Sequence, residues 1–180
     1  MKKRIMIDLE TLGTGPSSVI LSIGAVEFDY IEGLGAEFYA NVNVDSCLEA
    51  GLKIDGSTLM WWMGQDHAAR SSLGTNEVTL ERALRDLTDK FDWDGTEVWC
   101  NGLAFDLPIL DSAYRATKQQ VPWAYYNARD YRTLKNEMEY NAFKRLEVPP
   151  AVKHNALCDA QAQALTLIAM RSFEASNAVA

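Results

Sequence analysis

No hydrophobic run in this sequence approaches the ~20 residues that a bilayer-spanning helix needs. That argues against a membrane protein. Cysteine is scarce too. Cys47, Cys100 and Cys158 are odd in number and show no C-x-x-C spacing, which argues against a disulfide framework or a zinc knuckle and fits a reducing cytoplasm. Positive charge is in deficit, with 17 Lys and Arg against 25 Asp and Glu, a formal net charge of −8. Binding to nucleic acid by blanket phosphate neutralisation is therefore disfavoured. An enzyme that grips only a few nucleotides stays open, with divalent metals supplying positive charge where acids cluster. There is no internal repeat, low-complexity run or linker. The basic start Met1-Lys2-Lys3-Arg4 is followed by an apolar stretch broken at Asp8 and Glu10, which argues against a signal peptide.

The remainder is ordinary for a globular chain: 180 residues, 48% hydrophobic and 23% charged. The expectation is a single domain over residues 1–180, located in the cytoplasm, with 174–180 a small polar tail that frays. Residues 4–8 read as a buried strand. Val19 to Phe28 reads as a second, nearly continuous apolar strand, and Ala36 to Val44 as a third. Their short connections predict an antiparallel meander. Residues 45–78 are irregular, except that Ser57 or Thr58 is placed to cap a short helix carrying Trp61 and Trp62. Thr79 to Phe91 predicts a helix, with Leu80, Ala83, Leu84, Leu87 and Phe91 on one face. Thr96 to Cys100 reads as a strand. A loop follows, then a helix with Asp106 as a plausible cap, Pro108 in its first turn, and a buried stripe of Leu107, Leu110, Ala113 or Tyr114, and Thr117. A short strand at 127–130, a short helix at 133–140, a loop at Pro149-Pro150 and an Ala-rich helix from Leu157 to Phe173 complete the chain. The fold class is α/β: a mixed sheet, meander plus parallel strands, flanked by helices.

Ile5-Met6-Ile7-Asp8-Leu9-Glu10 is the stretch around which the chemistry gathers. Side chains alternate along a strand, so Asp8 and Glu10 share a face. Two carboxylates on one face beside an apolar core repel unless a cation sits between them, and a hard divalent ion such as Mg²⁺ or Mn²⁺ suits oxygen ligands. The plainer reading puts both acids at a strand end, facing water. Asp106 starts a helix just after a strand, although it could serve only as an N-cap. His154 and Asp159 lie five residues apart, which in a helix separates them by roughly 140°. They converge only if His154 stays on the preceding loop, and Asn155, a good cap residue, places it there. Asp159 then falls in the first turn, where the helix dipole favours negative charge. His67 lacks an acid partner at a useful spacing and reads as surface. A Cys158–His154 nucleophile pair is conceivable, but it leaves the acid pair on the first strand without a use.

The set Asp8-x-Glu10, Asp106, His154-x₄-Asp159 resembles the DEDDh-type exonucleases, the DnaQ-like branch of the ribonuclease-H-like fold. The resemblance runs from about Ile5 to Ala164. Asp8-Leu9-Glu10-Thr11 with a following Gly matches the first motif. Asn101-Gly102-x-x-Phe105-Asp106 matches the second, and His154-Asn155-Ala156-Leu157-x-Asp159-Ala160 the third. Trp61-Trp62-x-x-Gln65 with Arg70, Trp99-x-Asn101-Gly102 and Arg129-Asp130-x-Arg132-Thr133 look narrower, like the phage exonuclease A and ribonuclease AS-like subgroup.

The resemblance implies a two-metal 3′–5′ exonuclease that releases 5′-mononucleotides from single-stranded DNA or RNA. Asp8, Glu10 and Asp159 would bind two Mg²⁺ or Mn²⁺ ions about 4 Å apart, with Asp106 assisting the second. His154 would act as general base. Thr11 and Leu12 would touch the terminal nucleotide, and Asn101 belongs to the same expected contact set. Phe105 is a candidate to stack on a base, or else a core residue. Trp62 either plugs the core or lines a substrate groove. The phage-like features tilt the reading toward DNA, while the ribonuclease AS-like kinship keeps RNA in view. Relatives often dimerise, so a homodimer is one expected arrangement. A binding module that keeps the fold without catalysis, and a hydrolase of very short oligonucleotides, are the rival functions.

Overall fold

The computed structural model describes residues 3–177. Five strands form one sheet in the order β3-β2-β1-β4-β5, where β1 is Arg4–Thr11, β2 Ile20–Asp29, β3 Gly33–Asn41, β4 Glu97–Cys100 and β5 Ala128–Asp130. The β1, β2 and β3 strands run antiparallel, as their short connections predict, and β4 and β5 are parallel to β1. This is the expected mixed sheet. The third strand begins and ends earlier than its alternation suggests, because the turn after β2 is tight and Val44 already belongs to a helix.

That helix, α1 (Val44–Glu49), is followed by α2 (Gly56–Met63), the expected helix carrying Trp61 and Trp62, and α3 (His67–Ser71), so the stretch that reads as irregular is largely helical. The cap of α2 is Asp55, not Ser57 or Thr58; its carboxylate accepts the Ser57 N–H at 2.8 Å. Helix α4 (Leu80–Lys90) is capped by Thr79 and buries Leu80, Ala83, Leu84 and Leu87, the predicted face. Each leucine buried there contributes roughly 1.5–3 kcal/mol. Helix α5 (Asp106–Ala116) buries Leu107, Leu110, Ala113 and Tyr114, and also Ile109. In place of one helix at 133–140 there are two, α6 (Tyr131–Glu137) and α7 (Tyr140–Leu146), each capped by the acid before it, Asp130 and Glu139. Finally α8 (Ala156–Asn177) runs past Phe173, so most of the expected tail is helix; residues 178–180 lie outside the described residues.

Strand alternation sorts the core into two layers. Ile5, Ile7 and Leu9 join the cluster that contains the α4 and α5 side chains. Met6 points the other way, into a cluster with Val26, Trp99, Tyr131, Phe143 and the α8 residues Ala160, Ala164 and Leu167. Asp8 and Glu10 continue the Met6 face. A strand apolar on both sides therefore still delivers its two acids to one side, under the start of α8.

Candidate active site

Gly24 is why α8 can come so close. It stands opposite Asp8 in the β1–β2 register. A Cβ at Gly24 would lie 2.2 Å from the Ala156 carbonyl carbon and 2.2 Å from the Leu157 nitrogen. Only glycine admits that contact without a backbone shift. The first turn of α8 consequently rests on β2 beside the two acids of β1.

The N-terminal end of α8 is built as its sequence suggests. The Asn155 side chain accepts the Cys158 N–H at 3.1 Å, and the Asp159 N–H donates to the Asn155 carbonyl at 2.9 Å. His154 stays outside the helix with φ +60°, in the left-handed region. This local turn brings His154 and Asp159 together despite their five-residue separation. Ligand atoms of Glu10, His154 and Asp159 all lie within 4.8 Å of one another.

Asp106 arrives from the other side. It is the first residue of α5 and does not cap it: Phe105 holds the cap position and makes no side-chain cap bond. The Asp106 carboxylate instead turns back to accept the Leu9 N–H at 3.2 Å. It is 2% exposed and sits against the middle of the Asp8-Leu9-Glu10 segment. The preceding loop is fixed by Arg132, whose Nη2 donates to the Asn101 carbonyl at 2.7 Å, with the guanidinium lying over Gly102.

Four carboxylates thus share one region, and none has an ion pair to Lys or Arg among the described residues. Their proton affinities reflect this. Burial raises the Asp8 carboxyl well above the ordinary range, reinforced by Asp106, Glu10 and Asp159. Glu10 is pushed up to about 8, by burial first and then by Asp159 and Asp106. Burial also raises Asp106 and Asp159, opposed at Asp106 by the Leu9 N–H and at Asp159 by the His154 N–H. Asp8 has one hydrogen bond, from Gln163 Nε2 at 2.8 Å. Gln163 lies one helical turn beyond Asp159 and went unnoticed in the sequence, although that spacing puts both on one face. Uncompensated buried carboxylates are costly. A hard cation with oxygen ligands fits this donor set, and the imidazole beside it fits either a base or a nitrogen ligand.

Next to the acids runs a groove of about 450 Å³, lined by Leu9, Glu10, Thr11, Gly13, Thr14, Ser57, Thr58, Trp61, Trp62 and Phe105. Thr11, Trp62 and Phe105, the expected substrate contacts, all line this groove. Trp62 is both a core plug and a wall: it is 5% exposed, and its Nε1 donates to the Thr11 carbonyl at 2.8 Å. Two other expected contacts do not line this groove. The Leu12 side chain is buried in the main core, just past a register irregularity at Glu10/Thr11, and Asn101 is held by Arg132, outside this groove. Trp61, Ser57 and Thr58 line it as well, and only the helix carrying them is legible in the sequence. His67 is exposed, as expected.

A family model described as the 3′–5′ exoribonuclease Rv2179c-like domain matches residues 3–170. The chain belongs to this family. The chain is also similar to an exodeoxyribonuclease of Enterobacteria phage T4, 24% identical over 162 residues, covering 71% of this chain and 68% of that protein. Among solved structures, the zinc-bound E. coli ExoI–ssDNA complex superposes with a TM-score of 0.72 at 10% identity, over 97% of this chain and 41% of that one. A product-bound exonuclease I gives a TM-score of 0.63 at 11% identity, over 98% of this chain and 44% of the other. The chain therefore spans about two fifths of the length of these exonuclease chains, and the likeness is one of fold. The mixed sheet of an exonuclease ribonuclease-H-like fold is borne out. No helix of the described residues is long and apolar enough to cross a membrane.

Proposed function

We propose that this chain is a divalent-metal-dependent 3′–5′ exonuclease acting on single-stranded nucleic acid, one nucleotide at a time, with 5′-mononucleotides as product. One observation carries the reading. Asp8, Glu10, Asp106 and Asp159 converge from three elements, none in direct ion pairing with Lys or Arg among the described residues, and His154 stands at their edge. Family membership supports the polarity, and the single-stranded DNA bound by an exonuclease I neighbour supports a single-stranded substrate.

Asp8, Glu10 and Asp159 would hold a pair of Mg²⁺ or Mn²⁺ ions, and Asp106 would complete the second position. Such ions supply electrostatic stabilisation of charge on the phosphate and on the leaving 3′ oxygen. His154 takes the proton of the attacking water. Phe105 and Trp61 present ring faces on which a terminal base can stack, a contact worth roughly 1–3 kcal/mol and tolerant of base identity. Thr11 closes the groove floor, with its hydroxyl turned to the Gly13 carbonyl at 2.7 Å.

The test is digestion of matched single-stranded DNA and RNA, each labelled at the 5′ end, with Mg²⁺ or Mn²⁺ and with EDTA. The expected result is a ladder shortening from the 3′ end on at least one sugar, abolished by EDTA. The better-cut strand identifies the sugar. Wild-type protein that degrades neither strand faster than Asp8→Ala overturns the proposal.

A further inference from the structure

His154 is held in an unusual way. Its backbone sits at φ +60°, where a non-glycine residue stays only if its surroundings over-determine it. Among the described residues no hydrogen bond reaches its ring. A base histidine is ordinarily oriented by a carboxylate or carbonyl on the far ring nitrogen. Here aromatic packing takes that place. The Trp61 ring meets the imidazole edge-to-face, with centroids 5.0 Å apart and planes at 85°, and Trp62 meets it at 6.1 Å and 78°. The two indoles brace each other at 5.2 Å and 80°. Trp62 is keyed to the end of β1 through its bond to the Thr11 carbonyl at 2.8 Å, one residue beyond Glu10. The imidazole is therefore referenced to the acid-bearing strand through two tryptophans.

Trp61 differs from Trp62 in being 46% exposed, and it also lines the groove. We infer that Trp61 is a positioning residue for His154, coupling a nucleobase in the groove to the alignment of the imidazole. The inference rests on the nuclease reading above. A base packed on Trp61 restrains the indole, and the indole restrains the histidine. Losing the ring should then cost turnover more than binding, since small misplacements of a catalytic group are expensive.

The experiment is a double-mutant cycle between Trp61 and His154, read as kcat and KM on a short single-stranded substrate at saturating Mn²⁺, with thermal melting as a folding check. Trp61→Ala should lower kcat about tenfold and raise KM less than about threefold, and Trp61→Phe should restore kcat to within about threefold. Trp61→Leu, which keeps apolar bulk without a ring, should behave like Trp61→Ala and covers the case in which the alanine variant folds poorly. In the His154→Ala background, removing the indole should change kcat by less than about twofold, because residues acting through one another are not additive. An equal loss of kcat with and without His154, or a change in KM alone, overturns the inference. An impaired His154→Ala beside an unimpaired Trp61→Ala removes this inference only. A His154→Ala enzyme with wild-type kcat removes the base assignment beneath it.

Discussion

Two buried glutamates in one sheet show how this protein treats charge. Glu97 on β4 and Glu10 on β1 are each 8% exposed. Glu97 lies at the start of its strand and carries its own cations: Arg4 Nε at 3.3 Å and Arg129 Nε at 3.2 Å. Glu10 lies at the other end of the sheet, where its described neighbours are further acids and the His154 imidazole, with no Lys or Arg ion pair. One acid is paired within the chain, as buried charges usually are. The other is left for a cation from solution. Burial alone says little about whether an acid is structural; what stands opposite it decides.

Substitutions should split the two glutamates. The largest effect is expected at the acidic end. Asp8→Ala or Glu10→Gln should fold normally and lose nuclease activity by several orders of magnitude, measured on labelled oligonucleotides. Glu97→Gln should do the reverse. It leaves Arg129 without its acid and Arg4 with Asp29 alone, and should cost about 3 kcal/mol in urea unfolding, with kcat per folded molecule near wild type. A Glu97→Gln enzyme of full stability and no activity would dissolve the contrast.

Gly24→Ala follows. Its methyl group meets the backbone of α8 at Ala156 and Leu157, so Asp159 and His154 move together away from β1. Activity should fall about 100-fold, since a displacement near 1 Å has that cost, and Mn²⁺ affinity should fall with it. His154→Ala should be of similar size in kcat, roughly 100-fold, but with Mn²⁺ affinity kept. Loss of metal affinity in that variant makes His154 a ligand instead.

The smallest effect is on stability against pH. Glu10 titrates at about 8 in the folded chain against an ordinary 4.5. The folded state keeps its proton where the unfolded state has lost it. Stability from this group is therefore full below about pH 4.5 and declines as pH rises through 8. Metal-free protein should melt lower at pH 8 than at pH 5, by roughly 5 °C. Glu10→Gln should flatten that slope, and Mn²⁺ should remove it in the wild type.

Much of this was readable beforehand, for specific reasons. Asp8 and Glu10 are two apart on a strand, so their shared face follows from the pleat. Asn155 announces a helix start, and that alone puts His154 on the loop where it can meet Asp159. Other features were hidden because their cause is tertiary. Asp106 reads equally well as a cap until the Leu9 N–H is placed opposite it. Leu12 lies just past the end of β1, and its burial in the main core shows only once the layers are packed. Gly24 looks like any strand glycine until α8 lies across it. Helices α1, α3 and α7 span only five to seven residues, too few for an apolar period to declare itself, and the helix expected at 133–140 overlaps α6 only in part.

Calorimetric titration of Mn²⁺ into the metal-free protein at neutral pH tests the central claim most directly, with Glu10→Gln and Glu97→Gln run alongside. Saturable binding by the wild type and by Glu97→Gln, lost or sharply weakened in Glu10→Gln, is the predicted result. Equal Mn²⁺ binding by all three proteins, or none by the wild type, contradicts the account.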